Sequence, residues 1–229
     1  MRRITRRSRW TLGLCWLVCC AAGCSSLPNW GPFREVPDRL PGVPTPAEKQ
    51  AALRKLAKDA GGRNVEEKQR VVHDLTKAIR EEQDPIIRAE IVATLGHYPA
   101  SESDRVMKAA FNDPDVDVRL AACRAWGRRR GPQAAAVLAD AMTGDAELDV
   151  RMAAARALGR SKDPSAVPAL GKALEDPDVA MQRQAVLALR DASGKDFGND
   201  VNLWRQYVQG ETPKPDKPVS VAERFRKMF

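Results

Sequence analysis

The chain has 229 residues, with 38 Lys and Arg against 30 Asp and Glu and a formal charge of +8. At 43% hydrophobic and 30% charged, it is too polar for a multi-span membrane protein and too apolar for a disordered one. Aromatic residues make up only 5% beside abundant Ala and Leu, which favours helices over a β-sandwich.

The first element in chain order is an address. Arg2, Arg3, Arg6, Arg7 and Arg9 precede an uncharged apolar run, Trp10 to Ala22, with no acid before Cys24. Without those five arginines the formal charge is +3, so the basic balance is no argument for a nucleic-acid partner. The apolar run has 13 residues, and a spanning helix needs about 20. A basic start, a short apolar centre and small residues at the end describe an export signal. The end reads Ala21-Ala22-Gly23-Cys24-Ser25 and resembles the lipobox of bacterial lipoproteins, with Ala21 where that family prefers Leu. The resemblance implies cleavage before Cys24, acylation of Cys24, and, from Ser25, an outer-membrane address facing the periplasm. Two or three acyl chains would anchor the protein durably, since each buried CH₂ contributes about 0.8 kcal/mol. Of five cysteines only Cys123 lies beyond this region; one cysteine makes neither a disulfide framework nor a zinc cage, and it reads as a core residue.

A tether follows. Pro28, Pro32, Pro37, Pro41, Pro44 and Pro46 favour an extended, semi-rigid spacer. A helix opens at Pro46-Ala47-Glu48 and stops at Gly61-Gly62.

From residue 65 the sequence repeats. Segments beginning at Asp84, Asp115, Glu147 and Asp178 align at offsets of 31, 32 and 31 residues. Each carries a stripe at i, i+4 and i+8: Ile87/Ile91/Leu95, Val118/Ala122/Trp126, Val150/Ala154/Leu158 and Met181/Ala185/Leu189. Those are single helix faces. Another short helix precedes each, with stripes Val72/Leu75/Ile79, Met107/Ala110/Phe111, Leu138/Ala141/Met142 and Leu170/Leu174. The unit is a helical hairpin that buries its apolar faces only by stacking on its neighbours.

This pattern resembles HEAT-type repeats, in the short variety of phycobilisome-lyase-type proteins. The resemblance implies an all-α fold, an α-solenoid of about four hairpins with capping helices at both ends. Glu82, Asp113, Asp145 and Asp176 precede Arg88, Arg119, Arg151 and Gln182 by six residues each. HEAT families carry such an Asp–Arg pair linking adjacent repeats, so these charges are expected to be structural. At the C-terminal end, Asn199 or Asp200 is the expected N-cap for a short helix whose Leu203, Trp204 and Tyr207 seal the last repeat. The division is a signal at 1–23, a lipidated Cys24 and tether at 24–46, an N-terminal capping helix at 47–64, repeats at 65–192, a C-terminal cap at 193–210 and a basic tail at 211–229.

No catalytic constellation stands out. His73 and His97 lie in different expected helices and belong to no metal-spacing motif, and no phosphate loop or nucleophile elbow is present. No cofactor or metal is therefore expected. One basic feature recurs: Arg124 and Arg156, and Arg128 and Arg160, are each 32 residues apart. On stacked second helices these four form a stripe, thickened by Arg129 and Arg130, that would receive an envelope protein or an anionic envelope polymer. The bland alternative is a solvated face balanced by Asp140, Asp163 and Asp191. The sequence thus points to a non-catalytic envelope scaffold for protein–protein interaction, without nucleic acid. A lyase- or hydroxylase-type enzyme, or a DNA-binding array if the chain is not exported, are the alternatives.

Overall fold

The computed structural model describes residues 43–214 of the chain. The expected signal segment 1–23, Cys24, the tether up to residue 42 and the tail from residue 215 lie outside the described residues. Everything below concerns the unit that begins at Pro44.

Ten α-helices and no strand are found among the described residues: α1 Pro46–Asp59, α2 Val65–Glu81, α3 Pro85–Leu95, α4 Ser101–Ala109, α5 Val116–Trp126, α6 Pro132–Gly144, α7 Leu148–Arg160, α8 Val167–Ala173, α9 Val179–Ser193 and α10 Val201–Val208. None of them is long and apolar enough to cross a membrane. Helix starts follow local chemistry. Thr45 with Glu48, and Asn64 with Glu67, close capping boxes on α1 and α2. Asp84, Asp115, Asp178 and Asp200 each accept from the backbone N–H two residues on, capping α3, α5, α9 and α10. Of the two expected caps for α10, the side chain that acts is Asp200. Pro132 occupies the first turn of α6, whereas Pro164 opens a short 3-10 turn and α8 begins three residues later.

The helices form two layers. The second helices of the hairpins, α3, α5, α7 and α9, pack side by side, and the first helices α2, α4, α6 and α8 cover them. The stripes expected for the second helices are buried throughout, from Ile87 through Trp126 and Leu158 to Leu189. Helix α1 is more than an end cover. It packs against α3 in the second-helix layer, and Thr94 Oγ1 and Tyr98 Oη donate across to the α1 carbonyls of Leu53 and Leu56.

Close approach within that layer depends on glycine facing alanine. A Cβ on Gly96 would stand 3.0 Å from Ala125 Cβ, one on Gly127 3.1 Å from Ala157 Cβ, and one on Gly159 2.7 Å from Ala188 Cα. The first-helix layer is looser, with one cleft between α2 and α4 and another between α4 and α6. At the far end, α10 packs on α8 and α9, with Val208 against the bare Cα of Gly171. Trp204 is fully buried. It meets Phe197 edge-on at 5.0 Å and Tyr207 at 5.9 Å, and its indole N–H donates to the Gly198 carbonyl.

Candidate functional site

Two charged systems run across the second-helix layer, and they differ in kind. The first is internal. Lys49, Arg88, Arg119, Arg151 and Gln182 each occupy the fourth position of their helices. Each arginine reaches forward to the acid at the turn of the next hairpin: Arg88 to Asp113 and Arg119 to Asp145 at 2.9 Å, and Arg151 to Asp176 at 3.4 Å. The same guanidinium also donates to carbonyls of its own turn, as Arg119 does to Asp113 and Pro114. Each acid in turn accepts the backbone N–H two residues on. The ladder therefore ties a turn, a helix start and the neighbouring hairpin together.

Its ends are chemically distinct. Lys49 donates to Glu82 at 2.8 Å, a first rung of the same form built from Lys and Glu. Gln182 keeps the inward bond, donating to the Asp176 carbonyl at 2.8 Å, and extends no ion pair forward. Electrostatics follow. The Lys49 ammonium holds the Glu82 carboxyl below its ordinary pKa. Burial alone would raise Asp113, but the Arg88 guanidinium and the Asp115 N–H outweigh it and the net shift is downward.

The second system is open to solvent. Arg124 and Arg156 sit at the ninth positions of α5 and α7, and Arg128 and Arg160 lie one turn further on. All four line one groove of about 630 Å³, together with Leu120, Gly127, Asp149, Met152, Ala153 and Ala157. Among the described residues no ion pair engages any of them. Their bonds are to protein oxygens without charge: Arg128 to the Arg124 carbonyl and Arg156 to the Gln184 amide. Burial and the Arg124 charge push the Arg128 pKa down. Burial, then Arg128 and Arg129, push His97 down as well.

Of the neighbours expected to thicken or balance this stripe, Asp191 stands on α9 at the position that Arg128 and Arg160 hold relative to α5 and α7, whereas Arg129, Asp140 and Asp163 lie elsewhere. Arg129 turns away. It pairs with Asp104 at 2.8 Å and donates to the carbonyls of Leu95, Gly96 and Tyr98, capping the C-terminus of α3. Asp140 lines the cleft of the other layer, and Asp163 caps the turn at Ser165. His97 lies in the turn after α3 rather than in a helix, while His73 lies in α2. Cys123 is fully buried, and burial pushes its thiol up to about 12. Among the described residues no group of His, Cys, Asp and Glu is disposed to hold a metal ion.

Sequence reasoning missed the Lys49–Glu82 rung, the Arg129 cap and Phe197. The first carried a weak signal: Lys49 precedes Arg88 by 39 residues rather than about 31, which hides it from a search at the repeat period. A family model for HEAT repeats matches residues 72–155 and 142–198, a span of more than half the chain. A search of the curated proteins finds no match.

Proposed function

The chain belongs to the HEAT-repeat family, and from that premise we propose that it is a non-catalytic interaction scaffold held at a cell-envelope membrane by lipid on Cys24. The observation that carries the interaction reading is the groove between α5 and α7, where four arginines stand without an acid partner. An ion pair already satisfied inside the chain offers a partner little. A field of unneutralised guanidinium groups attracts an acidic one and orients it on approach. Packed helices hold the groove in shape, so binding costs little ordering entropy. The anchor reading rests on the sequence from Arg2 to Ser25.

The test has two arms. Wild type and Cys24→Ala are expressed in a bacterial host with lipoprotein processing, then fractionated and weighed intact. Wild type is expected in membranes, without its first 23 residues and with added acyl mass; Cys24→Ala is expected to lose both acylation and membrane attachment. An unprocessed wild type outside the membrane fraction overturns the address. In the second arm, charge reversal at Arg124 and Arg128 is expected to release proteins cross-linked to the scaffold in cells. If every cross-linked partner survives the reversal, the groove is not the binding face.

A further inference from the structure

The groove is patterned in rows that run across the helices. Asp117 and Asp149 stand at the second positions of α5 and α7, Leu120 and Met152 at the fifth, Arg124 and Arg156 at the ninth, and Arg128 and Arg160 one turn beyond. Leu120 and Met152 are half-buried, and small residues, Gly127, Ala153 and Ala157, floor the space beside them. On α3 the apolar row continues at Ala89, and Ala93 stands in the row that Arg124 and Arg156 occupy on α5 and α7. On α9 the pattern stops, with Arg183 in the apolar row and Asp191 in the basic one.

Resting on the scaffold reading above, we propose that this groove receives one amphipathic helix of a partner protein, laid across α3, α5 and α7. Its apolar face covers Leu120 and Met152, an acidic flank lies over the four arginines, and a basic flank faces Asp117 and Asp149.

Dimensions select a helix. At about 1.5 Å per residue the rows span roughly 10 Å from the aspartates to Arg124 and Arg156, with the long side chains of Arg128 and Arg160 reaching in from one turn beyond. An α-helix with its side chains is about 10–12 Å across and covers the apolar row and both flanks at once. A single extended strand occupies only about 5 Å and leaves most of the pattern bare. Chemistry excludes a simple polyanion in the same way. It would satisfy the arginines, leave Leu120 and Met152 uncovered and be repelled at Asp149. Three helices at about 8–10 Å spacing give a seat of roughly 20 Å, or three to four turns of bound helix. Recognition would follow the helix-in-groove mode, with apolar anchors at i, i+3, i+4 and i+7.

The test uses the full-length protein and three synthetic probes. The first is an amphipathic helix with a leucine face, glutamates on one flank and lysines on the other. The second has the same composition, with Glu and Lys interleaved on both flanks. The third is polyglutamate. Affinities are read by fluorescence anisotropy. The segregated helix is expected to bind at least about tenfold more tightly than either other probe, and Arg124→Glu with Arg156→Glu to remove that advantage. A peptide with lysine in place of its glutamates is expected to bind this double variant and so restore affinity, which separates a lost contact from a lost fold. Equal binding of the interleaved peptide or of polyglutamate overturns the helix proposal, as does the absence of saturable binding by the segregated helix. A photo-cross-linker at Met152 in cells separates this failure from the broader one. Protein adducts with no preference for the segregated helix remove the occupant proposed here and keep the scaffold. Adducts to no protein remove both.

Discussion

Gly159 shows how one missing methyl group sets a spacing. The backbone of Ala188 occupies the volume that a Cβ would need, so α7 and α9 can approach only if residue 159 is glycine. At Gly127 the nearest atom is the Cβ of Ala157 at 3.1 Å, and a small shift relieves it. Gly159→Ala is therefore expected to cost about 1–3 kcal/mol by overpacking, and Gly127→Ala less, when both are compared with wild type by urea denaturation. Equal losses would mean that helix separation is not limited at Gly159. Gly96, Gly127 and Gly159 are visible in the sequence twelve residues after Asp84, Asp115 and Glu147, but nothing in them announces a close contact. That contact is made with an alanine about 30 residues away, and residue spacing along one helix carries no information about its distance from the next. Arg129 is a similar case. Its place beside Arg128 and Arg130 suggests one more basic surface residue, and its task is set by the carbonyls of Leu95 and Gly96 at the end of α3.

At the scale of elements, the arginine column was legible because it recurs at constant distance from an acid in the preceding turn. The direction of each ion pair was not. Spacing links Asp113 to Arg119, whereas the carboxylate of Asp113 binds Arg88 and Arg119 binds Asp145. The layer to which α1 belongs was hidden for a different reason: its rung uses Lys and Glu at an irregular interval. Side chains of the Arg119–Asp145 pair are 13% and 8% exposed, so truncating one leaves the other charge nearly desolvated. Arg119→Ala is expected to destabilise by about 2–3 kcal/mol, toward the lower side of values for breaking buried pairs. The ladder also predicts acid sensitivity. Glu82 and Asp113 have depressed pKa values in the folded state. Their contribution is complete above the unfolded carboxylate range near about 4 and is lost as pH falls through the lower folded values. Denaturation curves of wild type and Asp113→Asn should therefore differ at neutral pH and converge in acid; a gap independent of pH would show that the Asp113 charge contributes nothing.

For the molecule as a whole, a stack of hairpins needs closed ends. Trp204 provides the C-terminal closure: it is fully buried and belongs to a cluster of three mutually contacting rings with Phe197 and Tyr207. Trp204→Ala is expected to cost about 3–5 kcal/mol and to expose the end of α9 and its hairpin first, as hydrogen exchange confined to residues beyond Val167 would show. Uniform loss of protection along the array would instead mean that the hairpins open as one unit. The aromatic residues in this segment were legible as a seal from composition and a cap signal. The open arginine groove was legible as a recurrence at one repeat length. That its four arginines make no ion pair was not, because Asp140 and Asp163, near it in sequence, face another cleft and another turn, and Asp149 lines the groove without pairing.

The ladder has a consequence for the length of the array. The three arginine rungs join chemically interchangeable ends, an arginine at a helix start and an acid at the turn of the next hairpin, so the chain contains a unit that can be copied. A second copy of residues 113–144 placed after Gly144 would hand Arg119 the duplicated Asp113 as its partner and offer the duplicated Arg119 to Asp145, with no end left over. The same duplication would add one more Arg124 and Arg128 to the groove. Array length and the reach of its charged surface thus change together, in steps of one hairpin, by tandem duplication alone; Gln182, which passes nothing onward, is where such growth comes to a stop.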